Sequence, residues 1–358
     1  MPTEDEKVRI VKDSDTPRCE LRESLSEADY RGSASRIRFL GERWIPALVE
    51  SYDYQPLWIT VRKDQRLVAT LPIVEVDSPL SGKRGVSIPF FDFCPPEVSD
   101  KEALFLLYRK LMDVGHRRDW KYFEIRGGFE ALDGFKPSIS FYRHQINLSL
   151  NSDEAFSHLK SAPQRAIRKA VKSGVIVRRS NTEKALKEFY KLQCLTRRRH
   201  GLPPQPLSFF KNLRESLEAD DLLDIFTAYL GDRPISSSVY VRQDEETVHY
   251  KYGASDYRYQ EFRGNNLVMW EAISYYGREG RSSIDLGRNS TSTQEGLRQY
   301  KLSWGAIEDL QHYQKFDLDK NTVISMADNA FGFHNHIFSK LPIALNRALG
   351  KLMYRHIA

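Results

Sequence analysis

The apolar positions along this chain change period several times, and each change marks an element. From Ile37 to Tyr52 they recur at helical spacing, whereas PLWITVR and RLVATLPIVEV alternate as two strands about a tight Lys63-Asp64-Gln65 turn. GVSIPFFDF is a further strand-like run, broken by Cys94-Pro95-Pro96. A helix is expected from Lys101 to Gly115, and WKYFEIRGG is a short strand ending on a glycine pair. The first residues are polar apart from VRIV at Val8 to Val11, a candidate edge strand.

The second half repeats this order. LLDIFTAYL and RPISSSVYVRQ flank a Gly231-Asp232 turn, TVHYKYGAS adds a third strand, Asn266 to Glu279 is helical, and SSIDLGR is a short strand. The halves close alike, on FEIRGG and IDLGRN, so the pattern predicts two duplicated α/β units. Between them LKSAPQRAIRKAVKSGVIVRR reads as a helix with Ser161 as N-cap, Pro163 in the first turn and Gly174 as its stop. At about 100° per residue, Arg165, Arg168, Lys169 and Lys172 share one arc, opposite Ala166, Ile167, Ala170 and Val171. Most charged helix faces are simply solvated, but four cations with no acid among them repel one another.

At 358 residues the chain exceeds one comfortable core, which predicts two domains, and a net charge of +6 favours anionic partners such as nucleic acid, phosphorylated metabolites or a membrane surface. Cys19, Cys94 and Cys194 are too few and too scattered for a disulfide framework or a paired-cysteine metal site. The charged start carries no apolar leader and no apolar run approaches the roughly 18 residues of a membrane span, so a cytoplasmic protein is expected. The His334–His336 pair lacks the spacing of a zinc helix, so no metal is expected, and Arg197–Gly201 (RRRHG) lacks the aromatic platform of an RNA-binding module.

Several segments together resemble a known family. VSIPFFDFCPP, RAIRKAVKSGV, NNLVMWEAISYYGREGRSSIDLGR and EGLRQYKLSWGA, within a resemblance running from about Trp44 to Gln311, are similar to the Fem-type peptidoglycan-bridge aminoacyltransferases, the lipid II:glycine glycyltransferase-like branch of the GNAT superfamily. The resemblance implies an α/β fold of two tandem GNAT-like domains, expected over residues 1–149 and 150–316, with a C-terminal helical extension over 317–358 docked on the first domain. It also implies transfer of an aminoacyl group from aminoacyl-tRNA to an amine of an envelope-glycan precursor, with no bound cofactor. No heptad run like the helical arm of some family members is visible.

By the same resemblance Lys301 matches a family lysine serving the reacting end of the acyl donor, and Tyr300 stands where the family usually has Phe. Attack of an amine on an ester builds charge on the carbonyl oxygen, which Lys301 is suited to stabilise, with Tyr300 as a proton relay or a stacking ring. Arg288 and Arg298 are candidates to grip phosphate, Arg165, Arg168 and Lys169 to bind a diphosphate-bearing acceptor, and Tyr252 to line its channel. All of this positive charge is expected to converge on a single cleft.

An acyl-CoA donor is the alternative. GNAT enzymes hold its pyrophosphate at a helix start of pattern Q/R-x-x-G-x-G/A, and QEFRGNN supplies Arg263 and Gly264 but puts Asn266, a good helix cap, at the second small position. A third alternative is a scaffold that only binds an anionic glycan or RNA. The tail HIFSKLPIALNRALGKLMYRH combines an apolar stripe with Lys340, Arg347, Lys351 and Arg355; the stripe is expected to dock on the first domain, and otherwise to contact the inner membrane face peripherally.

Overall fold

The structure is a computed structural model and describes residues 17–31, 33–327 and 333–357; the candidate strand at Val8 to Val11 lies outside them. The first half runs β1 (Arg18–Arg22), α1 (Glu27–Arg31), α2 (Ser35–Phe39), one π-helical turn (Leu40–Trp44) and α3 (Ile45–Tyr52). The meander β2 (Gln55–Lys63), β3 (Arg66–Val76), β4 (Arg84–Val86) and β5 (Glu97–Val98) then leads to α4 (Lys101–Arg117), β6 (Tyr122–Arg126) and β7 (Ile139–Asn147). The second half is α5 (Ser152–His158), α6 (Ser161–Lys172), β8 (Val175–Ser180), α7 (Glu183–Arg199), α8 (Leu207–Glu218), β9 (Leu223–Leu230), β10 (Arg233–Arg242) and β11 (Thr247–Ser255). A 3-10 turn (Tyr257–Phe262) precedes α9 (Gly264–Arg278), β12 (Ser283–Ser290), α10 (Glu295–Ser303), β13 (Ile307–Asp317) and β14 (Thr322–Val323). The helices α11 (Phe333–Lys340) and α12 (Ile343–Met353) follow, with a closing 3-10 turn (Tyr354–His356).

The two similar halves are present, but their sheets are fused. The strand order β1-β2-β3-β4-β6-β13-β7-β12-β11-β10-β9-β8 shows a reciprocal exchange: β13 from the second half pairs with β6 of the first, and β7 from the first pairs with β12 of the second. β13 and β7 also pair with each other, from Ile307 opposite Gln145 to Tyr313 opposite Ile139. Neither half can therefore separate without breaking ladder hydrogen bonds. One core lies under α4, one under α9, and a third joins the halves where α2, α3, α7 and α8 pack around Trp44, Phe189, Phe209 and Phe210.

Several expectations are corrected. The strand expected over GVSIPFFDF stops at Val86, because Ile88 (φ 44°) and Phe90 (φ 60°) turn left-handed on either side of Pro89, which has no N–H for a ladder. A left-handed β-branched residue is strained, and such strain concentrates at functional segments. Ser161 is already helical, with Lys160 in the cap position, and α9 starts at Gly264, so Asn266 lies within its first turn and does not cap it.

The α9 helix is fixed by a buried charge cluster. Asp224 of β9, only 1 % exposed, accepts hydrogen bonds from Arg242 (2.7 Å), Arg179 (2.6 Å) and Tyr276 of α9 (2.7 Å). Removing one partner of such a set leaves a buried charge uncompensated. Asp224→Ala should cost about 3–5 kcal/mol of stability, and Asp224→Asn less, measured by urea denaturation. A loss below about 1 kcal/mol for the alanine variant would show that water replaces the carboxylate.

Candidate active site

Two recesses lie on either side of α10. The first is a cavity of about 510 Å³ walled by α6, the ends of β10 and β11, the 3-10 turn, the first turn of α9 and α10. Arg165 and Lys169 of α6 line it together with Arg263, Gly264, Asn265 and Tyr300. Arg263 holds a left-handed conformation (φ 57°) immediately before α9, so the N-terminus of a 15-residue helix opens onto the cavity beside three cations. Helix N-termini carry partial positive charge and inward N–H groups, and together with these side chains they make an anion-binding wall. Arg233 extends the positive rim, donating to the Tyr259 hydroxyl at 2.6 Å.

The second, the Asp92 recess, is a charge cluster at the junction of the halves in which Asp92 and Arg288 stay partly open to solvent. Asp92, on the strained segment after Pro89, holds its carboxylate 3.7 Å from Lys251 Nζ and 3.8 Å from Arg288 Nε, and keeps 41 % of its side chain open to solvent. These approaches are ion pairs without hydrogen-bond contact, so the oxygens retain acceptor capacity. Burial pushes the Asp92 pKa up, but Lys251, Arg288, Arg126 and Lys301 outweigh it and hold the group below the usual carboxylate range. Its ionised form is therefore the resident one. Tyr313, on the exchanged strand β13, donates to the Asp92 carbonyl, and Arg126 donates to the carbonyls of Ile88 and Phe91.

Local irregularities aim the cations at this point. In the β10–β11 ladder Val239 faces Tyr252 and Tyr240 faces Tyr250, so Lys251 is the extra residue of a bulge and its ammonium lies over the rings of Phe91 (4.9 Å) and Trp44 (5.4 Å). The β12–β7 register shifts between Asp285 and Arg288, around Gly287 at φ +70°. A Cβ on Gly287 would lie 2.9 Å from Asp92 Oδ2, so glycine permits the carboxylate to approach. Arg288 then stacks on Phe141 at 4.2 Å and faces Asp92.

Between the recesses, α10 presents Tyr300 and Ser303 to the cavity, while Lys301 of the same helix points to β12. Lys301 is 5 % exposed and donates to the carbonyls of Gly287 (2.9 Å) and Arg288 (3.0 Å). An ammonium has three donors, so one is left for a substrate oxygen. Burial lowers its pKa, against the opposing pull of Asp92 and Asp285, to about 8. Burial likewise raises the Tyr300 pKa, and its ring meets Trp304 edge-on at 6.0 Å.

The expected single cleft is thus divided. Arg165, Lys169, Arg263, Gly264 and Tyr300 meet in the cavity, whereas Lys301 and Arg288 meet at Asp92. Arg168 joins neither: it lies over Phe156 (5.3 Å) and bonds Gln164. Arg298 is withdrawn by a bidentate pair with Glu308 (2.7 and 2.8 Å) and by the Tyr142 ring, so it is not available to grip phosphate there. Tyr252 packs against Phe189 and Phe210 in the joining core, as a strand tyrosine beside a bulge would. Asp92 and Lys251 went unassigned in the sequence; the signals were an acid inside an aromatic run, VSIPFFDF, and a lone lysine in an aromatic strand, HYKY.

Residues 159–302 match the family described as Acetyltransferase (GNAT) domain. The chain is 22 % identical over 263 residues to a lipid II:glycine glycyltransferase of Staphylococcus epidermidis, covering 51 % of this chain and 63 % of that protein. A similar match at 21 % over 266 residues links it to the enzyme of the same name from Staphylococcus haemolyticus. The chain therefore spans 63 % of the length of these curated relatives. Among solved structures, FemX superposes with a TM-score of 0.57 at 16 % identity over 74 % of this chain and 90 % of that one, which concerns the fold alone. The matched GNAT segment and the tandem architecture thus make the chain similar, in fold and in part of its sequence, to Fem-type members of the GNAT superfamily.

Proposed function

We propose that this protein is an acyltransferase that moves an aminoacyl group from aminoacyl-tRNA to an amine of a peptidoglycan-type envelope precursor. The observation that carries this is the position of α10, whose Tyr300 and Ser303 line a basic cavity while Lys301 reaches the Asp92 recess. The cavity suits the phosphates of the donor, held by Arg165, Lys169, Arg263 and the start of α9. The recess suits an acceptor that carries an amine beside anionic groups: Asp92 receives the ammonium, and Lys251 and Arg288 face the anion. Because neighbouring cations weaken Asp92 as a base, it orients the amine, and the proton leaves to solvent or to the departing oxygen.

In this mechanism the amine attacks the ester carbonyl, a C–N bond forms, and the C–O bond to the ribose breaks. The negative charge that develops on the carbonyl oxygen is met by the remaining N–H of Lys301, already fixed by two backbone carbonyls. An acyl-CoA donor shares the same phosphate chemistry at Gly264, and the localisation of the acceptor decides where in the cell the reaction runs. Purified protein supplied in turn with labelled aminoacyl-tRNA and labelled acyl-CoA separates the donors. Ribonuclease-sensitive transfer to an amine-bearing envelope precursor is expected; transfer from acyl-CoA that resists ribonuclease would replace the donor, and no transfer from either would reject the enzyme.

Lys301→Ala should lower kcat by about 10²–10³ without unfolding, the usual cost of one preorganised oxyanion donor. The pH dependence gives the sign of its role. The charged form is the working one, so the ratio of the wild-type rate to that of Lys301→Arg should fall as pH rises through about 8, where Lys301 loses its proton. Taking the ratio cancels the ionisation of the acceptor amine. A ratio that rises through the same range would make Lys301 a general base. Gly287→Ala should displace Asp92 and strain a left-handed position, costing roughly 1–2 kcal/mol of stability and raising KM for the acceptor more than for the donor; equal effects on both KM values would contradict the division into two recesses.

A further inference from the structure

The C-terminal segment, expected on the first half, meets both halves. It does not dock on the first half by its apolar stripe: α12 rests on α7 and the Pro203–Pro204 loop of the second half through its smallest and most polar positions. Asn346 is buried and donates to the Leu202 carbonyl at 3.4 Å, and a Cβ on Gly350 would meet the Pro204 carbonyl oxygen at 2.0 Å. Further contact with the first half follows, where Tyr54 donates to the Tyr354 carbonyl and Arg84 to that of His356.

At about 100° per residue, Asn346, Gly350 and Ile343 share the inward arc, and Leu345 and Leu352 fall on the far side, with Arg347, Lys351 and Arg355 following round the helix. Leu345 is 48 % exposed and Leu352 68 %. A loop of the first half reaches the same end of the molecule: Ser78 Oγ lies 3.0 Å from His356 Nδ1, and Leu80 at the tip of that loop is 80 % exposed, beyond the closing turn and exposed Ile357. Lys121 packs along the same loop at Gly82, while Asp77 is its acid.

Charge identifies what this face meets. From Asn329 to Ala358 the sequence contains no Asp or Glu, yet it has Lys340, Arg347, Lys351 and Arg355; Arg347 stacks on Tyr190, and the other three are exposed. An apolar ridge flanked by helix cations, with Asp77 of the loop as the one acid named beside it, complements a surface that is anionic at the level of the cations and apolar beneath. No helix among the described residues is long and apolar enough to cross a membrane. We propose that α12 and the Leu80 loop form a docking face for an anionic lipid bilayer, with Leu345, Leu352 and Leu80 entering the headgroup boundary and Lys340, Lys351 and Arg355 at the phosphates. This rests on the shape and charge of the face and is independent of the transfer chemistry.

The test is co-sedimentation of the full chain with vesicles of phosphatidylcholine alone or containing about one-third phosphatidylglycerol, at low and high salt. Binding is expected only to the anionic vesicles and should weaken with salt. Lys351→Glu with Arg355→Glu should weaken it by at least about thirtyfold, and Leu345→Glu with Leu352→Glu should abolish it while leaving the thermal melt unchanged, because these side chains are exposed. Wild-type protein that ignores both vesicle types, binds them equally, or binds undiminished after either double substitution overturns the proposal. So does concentration-dependent dimerisation that disappears in the leucine variant, which would place a second copy on this face.

Discussion

The carboxylate of Asp92, with Asp285 acting on two of the same cations, keeps cations of the second half of the chain gathered at the junction with the first. Lys251 and Arg288 stand just beyond hydrogen-bond distance from it, and Lys301 feels its charge from behind β12. Like charges at such spacing would drive one another apart in the absence of an anion, and an anion bonded fully to them would leave nothing for a substrate. The structure holds the intermediate condition by backbone means: a left-handed turn on either side of Pro89, a bulge at Lys251 and a glycine at 287. The exchange of β7 and β13 makes this condition durable. With β13 inserted beside β6, and Tyr313 bonded to the Asp92 carbonyl, the two halves cannot drift apart.

Much of the fold was legible in the chain because its signals are local. The Lys63-Asp64-Gln65 turn forms as read, with Asp64 and Gln65 both left-handed, and β11 spans Thr247–Ser255, matching the run TVHYKYGAS. The exchanged strands were not legible. ISFYRHQIN and IEDLQHYQKFD mix charge into both faces because they sit at the centre of the fused sheet beside the recesses, where polar groups find partners such as Glu308 with Arg298 and His144. Their pairing is also fixed by contacts more than 150 residues apart in sequence, which no local period encodes.

The site residues divide by the same logic. The meeting of Arg165, Lys169 and Arg263 in one cavity could be anticipated because a helix face and a helix start announce themselves, whereas the pairing of Arg298 could not, because Glu308 lies across a turn on the next strand. Lys301 owed its selection to family resemblance; its lowered pKa and paired carbonyls are visible only in three dimensions. In the tail, periodicity gave the stripe but not its direction, since packing at Gly350 and Asn346 requires closeness more than apolarity.

If acyl transfer passes across α10, a donor bound without reacting must lie with its phosphates on the α6–α9 wall and its carbonyl toward Lys301. A crystal structure with a non-transferable amide analogue of an aminoacyl-adenosine nucleotide measures this. The carbonyl oxygen should lie within hydrogen-bond reach of Lys301 Nζ, about 3 Å, with the amine-side face open to Asp92. An analogue seated with its carbonyl at the outer rim, beside Arg233 and Tyr259, would contradict it.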